Sequence, residues 1–152
     1  MHLWRIASGR YDPLDGEGAR LAGGRWNSPG RPLVYTSATA ALAVLEKLVW
    51  TDPEDLPDDL VLFEIDFPDA LVTPARLRSP ELPAGWAVPG CPECVRLGDE
   101  WLAYPGGSAA LVVPSAVLPE ETNVLLNPAQ PDARHARAHT QRPFSFDPRL
   151  LF

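Results

Sequence analysis

Two kinds of hydrophobic spacing alternate along this chain, and each predicts its own elements. Leu60-Val61-Leu62-Phe63-Glu64-Ile65-Asp66-Phe67 ends in strict apolar–polar alternation and predicts a strand. His2 to Ile6 and Pro32 to Thr36 are shorter runs of the same kind. Ala109 to Val113 is continuously apolar, as a strand covered on both faces would be, and Val124 to Leu126 predicts another. From Ala38 to Trp50 the spacing becomes helical. At about 100° per residue, Leu42, Leu45, Leu48 and Val49 share one broad apolar face. Lys47 falls opposite it, and Glu46 falls between Leu42 and Trp50. Ser37 or Thr39 can cap this helix.

Residues 93–104 predict a second helix, which Gly98 weakens. Residues 7–24 predict a long polar loop, and residues 51–59 an acidic one. Between residues 68 and 92, Pro74, Pro80, Pro83 and Pro89 break any long element, leaving room for one helical turn opening at Pro80. Pro143 to Asp147 predicts an edge strand. The order β, β, α, then strands with a helix or two between them, predicts an α+β fold with a mixed sheet and few helices. At 152 residues the length fits a single domain spanning 1–152.

Charge and composition narrow the function. The formal net charge is -7, which argues against nucleic-acid binding, since such proteins cluster Lys and Arg against phosphates. No apolar run is long enough to span a bilayer, and the start of the chain lacks a signal-peptide layout, so a cytoplasmic location is expected. Cys91-Pro92-Glu93-Cys94 is half a metal site. His135 and His139 have helical spacing but stand too far along the chain for a zinc finger. No metal is therefore expected, and the two cysteines read as ordinary thiols in a turn.

The candidate chemistry gathers between Gly23 and Glu46. Gly23 and Gly24 let the backbone approach a ligand, and Arg25 offers a planar fork of donors suited to phosphate or carboxylate. Tyr35 ends a strand and can stack on a planar ring or donate its hydroxyl. Glu46 sits at the rim of the helix's apolar face. A second cluster holds Ser115, at a strand end after Pro114, and Asn123 and Asn127, which bracket an apolar run. Each of these three also suits a turn cap. Ser115 lies in no G-x-S-x-G elbow, so a serine hydrolase is disfavoured.

Taken in order, Gly23-Gly24-Arg25-Trp26-Asn27, Gly30, Val34-Tyr35-Thr36-Ser37, Ala43 and Glu46 resemble the RES-domain toxins, a family named for its Arg, Glu and Ser. Leu97 to Leu102, Val113-Pro114-Ser115, Asn123 to Pro128 and Phe144 to Leu150 are similar to its later blocks. One departure stands out. Where the family commonly reads His-Pro-Asp after Asn-Pro, this chain has Ala129-Gln130-Pro131-Asp132.

The resemblance implies a fold similar to the ADP-ribosyltransferases and a toxin that cleaves NAD at the nicotinamide–ribose bond, by hydrolysis or phosphorolysis. Alternatives are ADP-ribosyl transfer to a protein and a nucleotide-binding regulator without turnover. NAD is then a consumed substrate and no cofactor is expected. The implied partner is an Xre-type helix-turn-helix antitoxin, with room for a homodimer within the complex. By motif position the catalytic candidates are Arg25, Tyr35, Glu46 and Ser115. Arg5, Gly24, Arg25, Tyr35 and Asn127 are the NAD-binding candidates. Glu46 is expected to stabilise charge on the ribose, Arg25 with Arg5 to hold the pyrophosphate, and Tyr35 to stack on nicotinamide. Ser115 is expected to bind substrate or position Arg25.

Overall fold

The structure, a computed structural model, describes residues 1–72, 77 and 81–151. Its strands are β1 (His2–Ser8), β2 (Val34–Ser37), β3 (Leu60–Asp66), β4 (Ala110–Pro114), β5 (Thr122–Leu126) and β6 (Arg137–Pro143). They form one sheet in the order β4-β5-β2-β1-β3-β6. Its helices are α1 (Glu17–Ala22), α2 (Ala40–Leu48), α3 (Asp69–Val72) and α4 (Pro92–Ala103). The α+β class with few helices is as the sequence predicts. The mixed sheet is not, because every pairing is antiparallel. The chain does cross over from β2 through α2 to β3, and these two strands run in the same direction. β1 lies between them, antiparallel to both, so the crossover never produces a parallel ladder.

That insertion is lopsided. β1 pairs with β3 along its whole length, from His2↔Asp66 to Ser8↔Leu60. Against β2 it pairs only at Trp4↔Ser37. β2 in turn is fully paired to β5. The sheet is therefore two leaves, β4-β5-β2 and β1-β3-β6, joined at one residue pair.

Side-chain alternation sorts the core. Ala110 and Val112 of β4 join Val124, Leu126, Val34, Leu3 and Ile65 on one side. Leu111, Val113 and Leu125 join Trp26, Leu33, Cys91 and Cys94 on the other. A third cluster packs Ala43 of α2 on Ile6, Leu60, Leu62, Phe144 and Phe146. Both faces of β4 are covered, which explains its unbroken apolar run.

Three expectations need correction. The loop over residues 7–24 contains α1, whose start is held by the Asp15 carboxylate accepting from Glu17 N at 2.9 Å. Six residues are too few to show a helical period. The edge strand at the C-terminal end is β6, not Pro143 to Asp147. β6 is polar and hides from a hydrophobicity reading; cross-strand contacts such as His139 Nε2 to Asp66 Oδ2 at 3.1 Å fasten it. Phe144 and Phe146 alternate because they plug the third cluster, edge to face with centroids 5.1 Å apart. His135 closes a 3-10 turn and His139 lies on β6, so they share no helix, while Cys91 and Cys94 are buried at the start of α4. The helical turn expected at Pro80, and the break expected at Pro74, lie outside the described residues. Among the described residues, no helix is long and apolar enough to cross a membrane.

Candidate active site

The short pairing between β1 and β2 frames the candidate site. β2 faces β5 through Thr36 and Ala38, so the Tyr35 carbonyl faces the β1 side. Arg5, one residue past the joining pair, fills the place of a ladder donor: its Nη1 donates to Tyr35 O at 2.8 Å. The neighbouring Nε of Arg5 is buried and has no partner among the described residues. Burial pushes the Arg5 pKa down, and the Asp15 charge opposes the shift. A guanidinium keeps its charge under such a shift. The junction thus holds a half-buried cation whose Nη1 is bonded to a backbone carbonyl.

The loop after α1 lies over this face. Tyr35 Oη donates to Asn27 Oδ1 at 2.7 Å and accepts from Trp26 N at 3.0 Å. Asn27, itself buried, donates to the carbonyls of Ala19, Ser28 and Arg31. Burial drives the Tyr35 pKa up, only partly offset by the Trp26 N–H and the Arg25 charge, so the phenol stays neutral. Gly24 serves this packing. A Cβ there would stand 2.5 Å from Tyr35 Oη. Gly98 serves it from the other side, since a Cβ on that residue would meet Trp26 O at 1.8 Å. The glycine that weakens α4 in the sequence is the one that lets α4 touch the loop.

Arg25 is already occupied. Its Nη1 donates to the carbonyls of Trp86 at 2.5 Å and Val88 at 2.9 Å, and its Nη2 to Ala87 at 3.2 Å. Arg25 therefore ties the segment around residues 86–88 to the loop. Cys94 Sγ leans on the same Trp86 carbonyl at 3.6 Å. Burial and the hydrogen bond with Cys91 push the Cys94 thiol up to about 12, so it stays protonated.

Glu46 completes the site from α2. Ser115 Oγ donates to its Oε1 at 2.7 Å, and Asn123 Nδ2 donates to the same oxygen at 2.6 Å. Asn123 Oδ1 accepts from Ser37 Oγ at 2.9 Å. Among the described residues nothing bonds Oε2. Ser37 is the β2 member of the joining pair and Arg5 follows its β1 member, Trp4, so Arg5 leaves the same junction from the opposite face of the sheet. Helix α2 is anchored independently: Thr39 accepts from Leu42 N and donates to Glu121, whose carbonyl accepts from Ser115 N.

Two bonded groups thus flank the Trp4↔Ser37 pair: Arg5 on the Tyr35 carbonyl, and Ser115 on Glu46. Ser115 reaches Glu46 and not Arg25, and it is fully buried. Asn127 stands apart, four residues beyond Asn123 on β5, roughly 13 Å away along an extended strand. Its side chain is spent on Leu102 O and Ala129 N. Asn123 stands in the second cluster of the sequence but is not carried among the site candidates, where Asn127 is. The signal was its parity: β5 places Asn123 on the face of Leu125, opposite Ser37.

Comparison with known proteins agrees with this architecture. "Prs ADP-ribosylating toxin" of Sphingobium sp. (strain YBL2) is 41% identical over 98% of this chain and 96% of its own length. "Toxin Res" of Photorhabdus laumondii is 37% identical over 99% and 97%. The fold is similar to a chain in the crystal structure of the M. tuberculosis MbcT-MbcA toxin-antitoxin complex, with a TM-score of 0.64 and 22% identity over 91% of this chain and 84% of that one. The RES domain model matches residues 2–147, and with relatives this similar end to end, the chain belongs to the RES domain family.

Proposed function

We propose that this chain is the toxin of a toxin–antitoxin pair and that it consumes NAD by breaking the nicotinamide–ribose bond. The observation that carries the reading is the Glu46 carboxylate, held through Oε1 by two donors, with no bond to Oε2 among the described residues. Cleaving a glycosidic bond builds positive charge on the sugar ring. A fixed carboxylate beside that ring stabilises the charge without reorganising. The nicotinamide of NAD is already cationic at its ring nitrogen and departs neutral, taking the bonding electrons. No general acid is needed, so one carboxylate suffices.

The anionic half of NAD needs a cation. Arg5 stands at the junction with only its Nη1 bonded to a carbonyl, so it takes the pyrophosphate first. Arg25 joins only by exchanging carbonyls for phosphate oxygens, and otherwise holds the segment around residues 86–88 in place. The Tyr35 ring packs beside this site while its hydroxyl pins the loop. The acceptor of ADP-ribose is water or phosphate in this reading. Transfer to a protein is the second reading, favoured by the relative named "Prs ADP-ribosylating toxin". The partner is a helix-turn-helix antitoxin, and the net charge of -7 suits a basic surface on it.

Induced expression in bacteria tests both readings. Wild type is expected to stop growth and lower cellular NAD, Glu46→Gln to do neither, and co-expressed antitoxin to restore growth. Growth arrest with an undiminished NAD pool would contradict depletion. Extract supplied with labelled NAD then separates the readings, since label on a protein supports transfer and label confined to small molecules supports depletion. Binding of NAD without either outcome would mark a regulator.

A further inference from the structure

The carboxyl group of Glu46 is held more firmly than its helix alone can hold it, and its two donors are oriented by different means. Ser115 Oγ accepts from Val117 N at 3.1 Å and Leu118 N at 3.0 Å. Its lone pairs are thereby used, and its one hydrogen points to Glu46. Asn123 needs another device, because the two ends of a carboxamide have nearly the same shape. An ionised carboxylate only accepts, so the amide nitrogen must face Glu46, and the amide oxygen then requires a donor on its far side. Ser37 supplies it at 2.9 Å.

We infer that Asn123 is a positioning residue for Glu46, locked in its working orientation by Ser37. Together they hold Oε1 and turn Oε2 toward the ligand. The inference rests on the proposed NAD-consuming reading and adds to it two residues. Asn123 acts from β5 and Ser37 from β2, so the carboxylate on α2 takes its aim from the leaf opposite Arg5.

The test uses the purified full chain with NAD and the variants Asn123→Ala, Asn123→Asp, Ser37→Ala and Ser37→Thr. Asn123→Asp keeps the shape but removes the donor. Both Asn123 variants are expected to lose about 10-fold or more in kcat with KM changed by less than about 3-fold, the size of one hydrogen bond to a charged group. Ser37→Ala is expected to lose less, and Ser37→Thr to recover it. In a Glu46→Ala background, Asn123→Ala should add no further loss. Unchanged kcat in Asn123→Asp, or an additive loss without Glu46, would overturn the inference. A second readout is independent of turnover. The Asn123 side-chain amide signal in a nitrogen-15 spectrum is expected to move in Glu46→Ala, and an unmoved signal overturns the positioning role. A wild type that turns over no NAD, with that signal moving, would sink the enzymatic reading and leave the positioning intact.

Discussion

Tyr35 binds two partners that are distant from it along the chain, Asn27 Oδ1 and Trp26 N, through one hydroxyl. Tyr35→Phe strands both groups, and both belong to buried residues. The expected cost is about 1–3 kcal/mol, or roughly 2–4 °C in Tm per kcal/mol for a domain near this size, read by calorimetry. The same burial makes stability sensitive to alkali. Tyr35 and Cys94 have native pKa values raised above the ordinary 10.0 and 9.0. Above those values the unfolded chain releases protons that the native state retains, so stability falls as pH rises. Their contribution is intact below pH 9 and is lost from there toward and beyond 12. Urea midpoints should fall between pH 9 and 11, less steeply in Tyr35→Phe; a slope unchanged in that variant would refute the assignment. At this scale the sequence was half legible. Arg5, Tyr35, Glu46 and Ser115 became candidates through the family resemblance, as polar residues set in or beside apolar runs. Asn123 and Asn127 were not separable, because both bracket one apolar run and only register decides which meets Glu46.

Among elements, α4 and α2 bear most on the site. Gly98 allows α4 to touch the backbone of Trp26, and a methyl there would lie 1.8 Å from a carbonyl oxygen. Gly98→Ala is therefore expected to cost about 3 kcal/mol or more, with the loop displaced and tryptophan fluorescence shifted; wild-type stability would show that the loop yields freely. Thr39→Ala removes both the cap of α2 and the link to Glu121. It should lower stability by about 1 kcal/mol, measured by urea unfolding, and also reduce NAD turnover by loosening the helix that carries Glu46. Elements with a strong period were readable from sequence, α2 and β3 above all. α1 was too short and β6 too polar to show one. The run Phe144-Ser145-Phe146 had a strand's period because two rings enter one cluster.

At the scale of the molecule, the candidate site follows from one incomplete ladder. If β1 paired fully with β2, the Tyr35 carbonyl would have a backbone donor and no place for Arg5. The ladder stops at Trp4↔Ser37, where the Arg5 guanidinium takes the Tyr35 carbonyl on one leaf and Asn123 on the other holds the Glu46 carboxylate. Antiparallel pairing on both sides of β1 was not readable from the βαβ order, because nothing local tells a crossover strand that another will lie between. Release of nicotinamide from NAD by the purified protein, followed for wild type and Glu46→Gln side by side, tests this account most directly. Steady release by wild type and a loss of about 100-fold or more in Glu46→Gln is the predicted result, the scale at which one preorganised electrostatic group matters. Equal rates from two equally folded proteins would contradict it.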